Sequence, residues 1–189
     1  MKFVTHSDDL VGRVLDRMEE LGLSENTYIV ILGDHGFLLG ENDQWAKNIL
    51  LPEALRTALW MKGPGLARNG ASKTFVEFVD IYPTLLELAG IEYDLGSVNG
   101  RSFTKVLERP TTPHRYAAYA RFGEGDAVTT EDFYYVLWRN GGSDSSLLID
   151  LKNDPEKTTN LSGRPKYREV ERKLRAKVLS RIYEANSAY

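Results

Sequence analysis

The sequence predicts an α/β fold with parallel strands, followed by a small C-terminal antiparallel sheet and a helix. Three observations carry this prediction. An amphipathic helical stretch runs directly into a continuous apolar run at residues 27–32. A second such run, at 56–62, closes on Gly63-Pro64-Gly65. From residue 116 the pattern changes to short strand-like runs separated by Gly-, Asp- and Ser-rich turns. A helix leading into a strand that is apolar throughout is the pattern of a parallel layer covered on both faces.

Each element has its own justification. Leu10, Val11, Val14, Leu15, Met18 and Leu21 recur at helical spacing, with Ser and Asp upstream as caps and Gly22 as a stop. Residues 27–32 (TYIVIL) form the first strand and 56–62 (RTALWMK) its neighbour. Val76, Val79, Leu85, Leu86 and Leu88 mark a helix from about 73 to 89, restarted at Pro83 and ended by Gly90. Asp80, three residues before Pro83, reads as the cap of the restarted turn. Strands are expected at 116–122, 133–138 and 147–151, and a surface helix at 166–184 through Tyr167, Val170, Leu174, Val178 and Ile182. The expected division falls near residues 109–113, giving segments 1–110 and 111–189.

Composition narrows the function classes. The 189 residues are 42% hydrophobic and 27% charged, enough for a sizeable core. With 24 basic and 27 acidic residues, the net charge of −3 offers no general attraction to nucleic acid or an anionic membrane, so anion binding must be local. There is no cysteine, which excludes a disulfide, a thiolate metal site or a cysteine nucleophile within these residues. The first residues become polar after two apolar ones, so no signal-peptide core is expected there. No run approaches the ~20 apolar residues of a membrane span. The compartment stays open.

The chemistry gathers where the first strand ends. Residues 28–48 read YIVILGDHGFLLGENDQWAKN. Ligands of open α/β sheets collect at the carboxyl ends of strands, which favours a role for Asp34 and His35. The same Asp-His-Gly also suits a plain turn. Asp offers an anionic oxygen and His a neutral nitrogen, so the two can furnish part of a divalent cation site but not all of it. Lys47 brings a compact positive charge suited to a sulfate or phosphate oxygen, or is simply a solvated surface lysine.

Residues 11–48, together with RTALWMKGPG, FVEFVDIYPTLLELAGI, NGRSF and LLIDLKNDPEKTTNLSGRPKYREV, occur in the order in which sulfatases carry such segments. The chain resembles the second half of the sulfatase family of the alkaline-phosphatase superfamily over nearly its whole length. It is most similar to iduronate-2-sulfatase-like and choline-sulfatase-like members. The resemblance implies part of an alkaline-phosphatase-like sandwich. Asp34 and His35 would be ligands of a divalent cation, calcium first, with magnesium or manganese as alternatives. Lys47 would contact the sulfate, with Lys47 and His35 in the catalytic set. Calcium's preference for oxygen makes His35 the less comfortable ligand.

One departure is larger than any substitution. The family's nucleophile arises from Cys/Ser-x-Pro-x-Arg, oxidised to formylglycine, and that motif is absent. Ser162–Lys166 (SGRPK) has its proline one place late, and Asp8-Asp9 lies in the first helix, not after an early strand. The expected function is therefore the C-terminal portion of a sulfuric ester hydrolase that is inactive alone. Formylglycine would be supplied by a missing N-terminal half, which is an expected partner beside self-association. The alternatives are a non-catalytic module binding an anion or a partner, and a fragment of a related phosphodiester or phosphonate hydrolase. The expected substrate is a sulfate-ester small molecule or sulfated sugar, with specificity in loops 40–44 and 121–130. His6 and His114 read as isolated, and Trp45 either shields the site or packs in the core. Many family members are periplasmic, secreted or lysosomal.

Overall fold

A computed structural model describes residues 2–187. Helix α1 (Lys2–Glu20) leads into strand β1 (Ile29–Leu32), then a short hairpin of β2 (Leu38–Leu39) and β3 (Trp45–Ala46). The one-turn helix α2 (Pro52–Leu55) precedes β4 (Leu59–Lys62). Helices α3 (Ile81–Leu88) and α4 (Thr104–Glu108) lead to four consecutive strands, β5 (Ala117–Phe122), β6 (Gly125–Thr130), β7 (Phe133–Asn140) and β8 (Ser143–Asp150). Helix α5 (Arg168–Ser187) follows. Among the described residues, no helix is long and apolar enough to cross a membrane.

The expectation of parallel strands is overturned, because every strand pairing is antiparallel. β1 pairs with β4 in the register Ile29↔Lys62 to Leu32↔Leu59, β2 with β3, and β5 through β8 form a four-stranded meander. A parallel pair needs a crossover, usually a full helix. Between β1 and β4 the chain instead folds a hairpin and a single helical turn, and returns beside the strand it left. The helix expected to cover the layer precedes β1 and closes no strand–helix–strand unit. Neither strand is covered on both faces: β1 is only half-buried and Leu32 and Trp60 are exposed. The apolar stripe of α1 also leaves Val4, Leu10, Val14 and Leu21 exposed, and the expected capping residues Ser7 and Asp8 lie inside the helix.

Two further differences have local causes. Only residues 78–88 of the expected 73–89 helix are helical, as a 3₁₀ turn running into α3; Phe75 is extended and bridges Arg115. The stretch 121–130, expected to be a loop, supplies the end of β5 and all of β6. Its sequence GDAVTT is short and opens on turn residues, so its strand character comes from its neighbours.

The core is built on both faces of the meander. On one face Val128, Tyr135, Leu137 and Leu148 pack beneath Leu174, Val178 and Ile182 of α5. On the other, Ala127, Tyr134, Val136 and Ile149 receive Leu50, and Leu147 meets the adjoining cluster of Leu38, Leu51 and Ala54. The sheet thus carries α5 on one side and the segment through α2 on the other.

A buried ionic hub ties distant segments together. Asp80 is wholly buried; its position heads α3, but its side chain makes no capping bond there. The carboxylate instead accepts from the Glu77 and Arg101 backbone N–H groups at 2.9 and 2.8 Å, from Arg115 Nε at 2.7 Å, and lies 3.2 Å from His114 Nε2. Burial alone raises this carboxyl, but the Arg115 hydrogen bonds and then the Arg101 and Glu77 N–H groups outweigh it and hold it at about 2. Glu77 extends the hub, accepting from the Tyr119 N–H at 2.9 Å and from Arg181 of α5 at 2.6 Å.

Candidate functional site

The Asp34-His35 turn begins where β1 ends and is pinned at both sides. The Gly33 N–H donates to the Ala58 carbonyl at 3.1 Å and the Gly36 N–H to the Ala54 carbonyl at 2.8 Å. Gly36 lies so close to α2 that a Cβ would overlap the carbonyl oxygens of Glu53 and Arg56. Glycine there is a requirement of close approach.

Within the turn, the His35 N–H donates to Asp34 Oδ1 at 3.1 Å. His35 Nδ1 lies 2.7 Å from the Gly36 carbonyl oxygen, which can only accept, so Nδ1 carries the proton. Nε2 therefore faces outward, 3.1 Å from Asp34 Oδ2, and meets the Lys47 ammonium. Two acceptors at 3.1 Å repel unless a positive charge lies between them. The Lys47 ammonium meets Nε2 alone and makes no ion pair with Asp34, so it does not bridge the two acceptors.

Lys47 reaches the turn because the β2–β3 hairpin folds back. Gly40 (φ 123°) and Asn42 and Asp43 (φ 52° and 56°) form the bend, closed by the Gly40 N–H to the Gln44 carbonyl at 3.0 Å. Leu38, wholly buried, roots the hairpin, and the 40–44 loop stands at its tip. Trp45 is 71% exposed, which leaves the core reading without support in this chain.

The structure thus brings Asp34, His35 and Lys47 together and leaves the other candidates apart. His6 and the Asp8-Asp9 pair are exposed on α1. His114, isolated by sequence spacing, belongs to the Asp80 hub and stacks edge-on against Phe103. Sequence reasoning passed over α2, whose visible signal was a proline opening an apolar turn, LLPEAL.

The donor set suits part of a cation site. The Asp34 side chain is 83% exposed and free to coordinate, and its oxygen and the His35 nitrogen are as far apart as two adjacent ligands of one octahedral ion, about 3 Å. Among the described residues no group of three or more His, Cys, Asp or Glu side chains converges.

Comparison with known proteins bears on what such a turn is for. Residues 1–91 match the family model described as Sulfatase. The chain is 31% identical over 185 residues to arylsulfatase K of Xenopus laevis, covering 90% of this chain and 34% of that protein. This chain belongs to the sulfatase family. It is also 31% identical to N-acetylglucosamine-6-O-sulfatase of Bacteroides thetaiotaomicron, over 88% of this chain and 32% of that protein. A solved structure of a protein in complex with its substrate D-glucosamine-2-N,6-O-disulfate superposes with a TM-score of 0.85 at 29% identity, over 98% of this chain and 39% of that one. The chain spans about a third of the length of the curated relatives it matches. The sulfatase family lies within the alkaline-phosphatase-like superfamily.

Proposed function

We propose that this chain is the C-terminal portion of a sulfuric ester hydrolase, contributing half of a composite site to the cleavage of a sulfate ester, with a sulfated sugar as substrate. The observation that carries the reading is the convergence of Asp34, His35 and Lys47 at one strand end. The similarity to a sugar-6-O-sulfatase and to a protein that binds a disulfated glucosamine supports the substrate class. We take residues 1–110 as the part that bears the site and 111–189 as a small C-terminal α+β subdomain.

In this reading Asp34 Oδ2 and His35 Nε2 are two ligands of a divalent cation, completed from residues outside this chain. A bound cation supplies Lewis-acid stabilisation of the sulfate oxygens. The Nδ1–H bond to Gly36 fixes the ring so that Nε2 keeps its lone pair for the ligand. Lys47 leaves His35 for a sulfate oxygen and neutralises the charge that builds on the transferring group. The nucleophile, as formylglycine, is supplied by a Cys/Ser-x-Pro-x-Arg segment that these residues lack.

Aryl sulfate turnover tests the reading. The chain alone, with calcium or manganese, should show none. Joined to an upstream segment bearing that motif it should turn over, and Lys47→Ala should lower kcat by about 10²–10³, as for loss of one oxyanion donor. Turnover by the chain alone that Lys47→Ala abolishes would refute the composite site.

A further inference from the structure

We infer that Lys157, from the turn after β8, is a positioning residue for the Asp34-His35 turn, acting through an ion pair with Glu53 of α2. The inference rests on the composite-site reading only in taking that turn as the site.

The turn stands on α2, and α2 has four residues. A single helical turn does not hold itself, since its nucleation costs more than its few hydrogen bonds return. Ala54, Leu50 and Leu51 seat it on the meander by apolar contact. Among the described residues Glu53 adds the one charged tie: its Oε1 meets Lys157 Nζ at 2.5 Å, with both side chains about four-fifths buried. Its other oxygen, Oε2, is buried with no hydrogen-bond partner among the described residues. The Glu53 charge also raises the Tyr134 hydroxyl, to which burial contributes most, so Glu53 sits over β7. A carboxylate so placed depends on its one cation, because a buried charge without a partner is costly.

Lys157 is itself held for this contact. Its φ is +57°, a left-handed conformation that side chains other than Gly, Asn and Asp adopt rarely. The conformation is imposed by Asp154, whose carboxylate accepts from the Thr158 N–H at 3.2 Å and the Thr159 N–H at 2.8 Å. Asn160 then fastens the turn to β8, accepting from the Leu148 N–H at 3.0 Å and donating to the Ser146 carbonyl at 3.1 Å. The Lys157 ammonium also donates to the Pro155 carbonyl at 2.9 Å. Strained backbone held by its surroundings is a mark of a position kept for a task. The same ammonium reaches toward the hairpin that carries Lys47. The Glu41 carboxyl there is lowered mainly by the Leu39 N–H, with Lys157 the smallest contributor.

Residue-resolved hydrogen exchange on the chain tests this without reference to turnover. Lys157→Met and Glu53→Gln should each speed exchange of the Gly36 amide, bonded to Ala54, by about tenfold or more, while amides of β7 and β8 change by less than about twofold. Lys157→Arg, which keeps the pair, should stay within about threefold of the parent chain. An unchanged Gly36 amide in Lys157→Met or Glu53→Gln would overturn the inference. So would equal acceleration everywhere, which marks general loss of stability, or a Lys157→Arg variant as fast as Lys157→Met. Failure of the sulfate-ester reading would leave these rates untouched, so the two can fail separately.

Discussion

Replacing Asp80 with Asn keeps the shape of the ionic hub and removes its charge, so the loss can be worked from the structure. The parent carboxyl lies at about 2 against an ordinary 3.8. That difference of about 1.8 units corresponds to about 2.4 kcal/mol of native-state stabilisation. Arg115, nearly buried, would keep Glu77 Oε2 at 3.5 Å as its remaining ion-pair partner among the described residues. Breaking one partner out of such a pair costs about 3–5 kcal/mol, so Asp80→Asn should lose about 3 kcal/mol at pH 7. The sign with pH follows from a lowered native value: the stabilisation is complete above 3.8 and is lost as pH falls through about 2. By pH 3 the parent chain should have lost about 1 kcal/mol of it, and the gap to the non-titrating variant should narrow by that amount. Urea denaturation followed by circular dichroism at pH 7 and pH 3 measures both gaps. A deficit below about 1 kcal/mol at pH 7, or a gap that does not change with pH, would refute the hub as described.

Four further outcomes are expected. Gly36→Ala should cost about 1–3 kcal/mol and shift the His35 resonances in NMR spectra, because a Cβ meets backbone carbonyls that cannot swing aside. Leu148→Ala, at the centre of the meander, should cost about 2–5 kcal/mol in thermal or urea denaturation, and Leu39→Ala, which is exposed, less than about 0.5. Amides of β1 and β4 should exchange faster than those of β6 to β8, since a two-stranded sheet with exposed Leu32 and Trp60 has little to protect it. Light scattering should show self-association that Trp60→Lys reduces.

The sequence made some of this legible and hid the rest for identifiable reasons. β5, β7, β8 and α5 were readable because aromatic and β-branched runs and a helical apolar stripe met the same sheet. β6 was not, because GDAVTT opens on the turn residues Gly and Asp and its β-branched stretch is only Val128 to Thr130, so it becomes a strand between β5 and β7. The direction of β4 against β1 was hidden because an apolar run looks the same in either orientation. At the candidate site, Asp34 and His35 stood out as polar chemistry at a strand end that also suited a plain turn, whereas Lys47 read alone as a solvated lysine and was singled out by the resemblance to sulfatases. The hub did not: Asp80 has a cap residue's propensity, and its partners His114 and Arg115 lie 34 and 35 residues away, beyond any local pattern. Lys157 carried no signal at all, since a lysine in a polar turn is what solvent alone would select.

The seat of α2 on the far face of the meander also sets an order of events at the ribosome. The strand end with Asp34 and His35 and the hairpin with Lys47 are synthesised before any strand of the sheet beneath them. Lys157 follows Lys47 by about 110 residues, which at 5–20 residues per second is roughly 5–20 s of elongation. Through that interval Leu38, Leu50, Leu51 and Ala54 have no sheet to cover them, so the apolar segment beside the Asp34-His35 turn is available to chaperones.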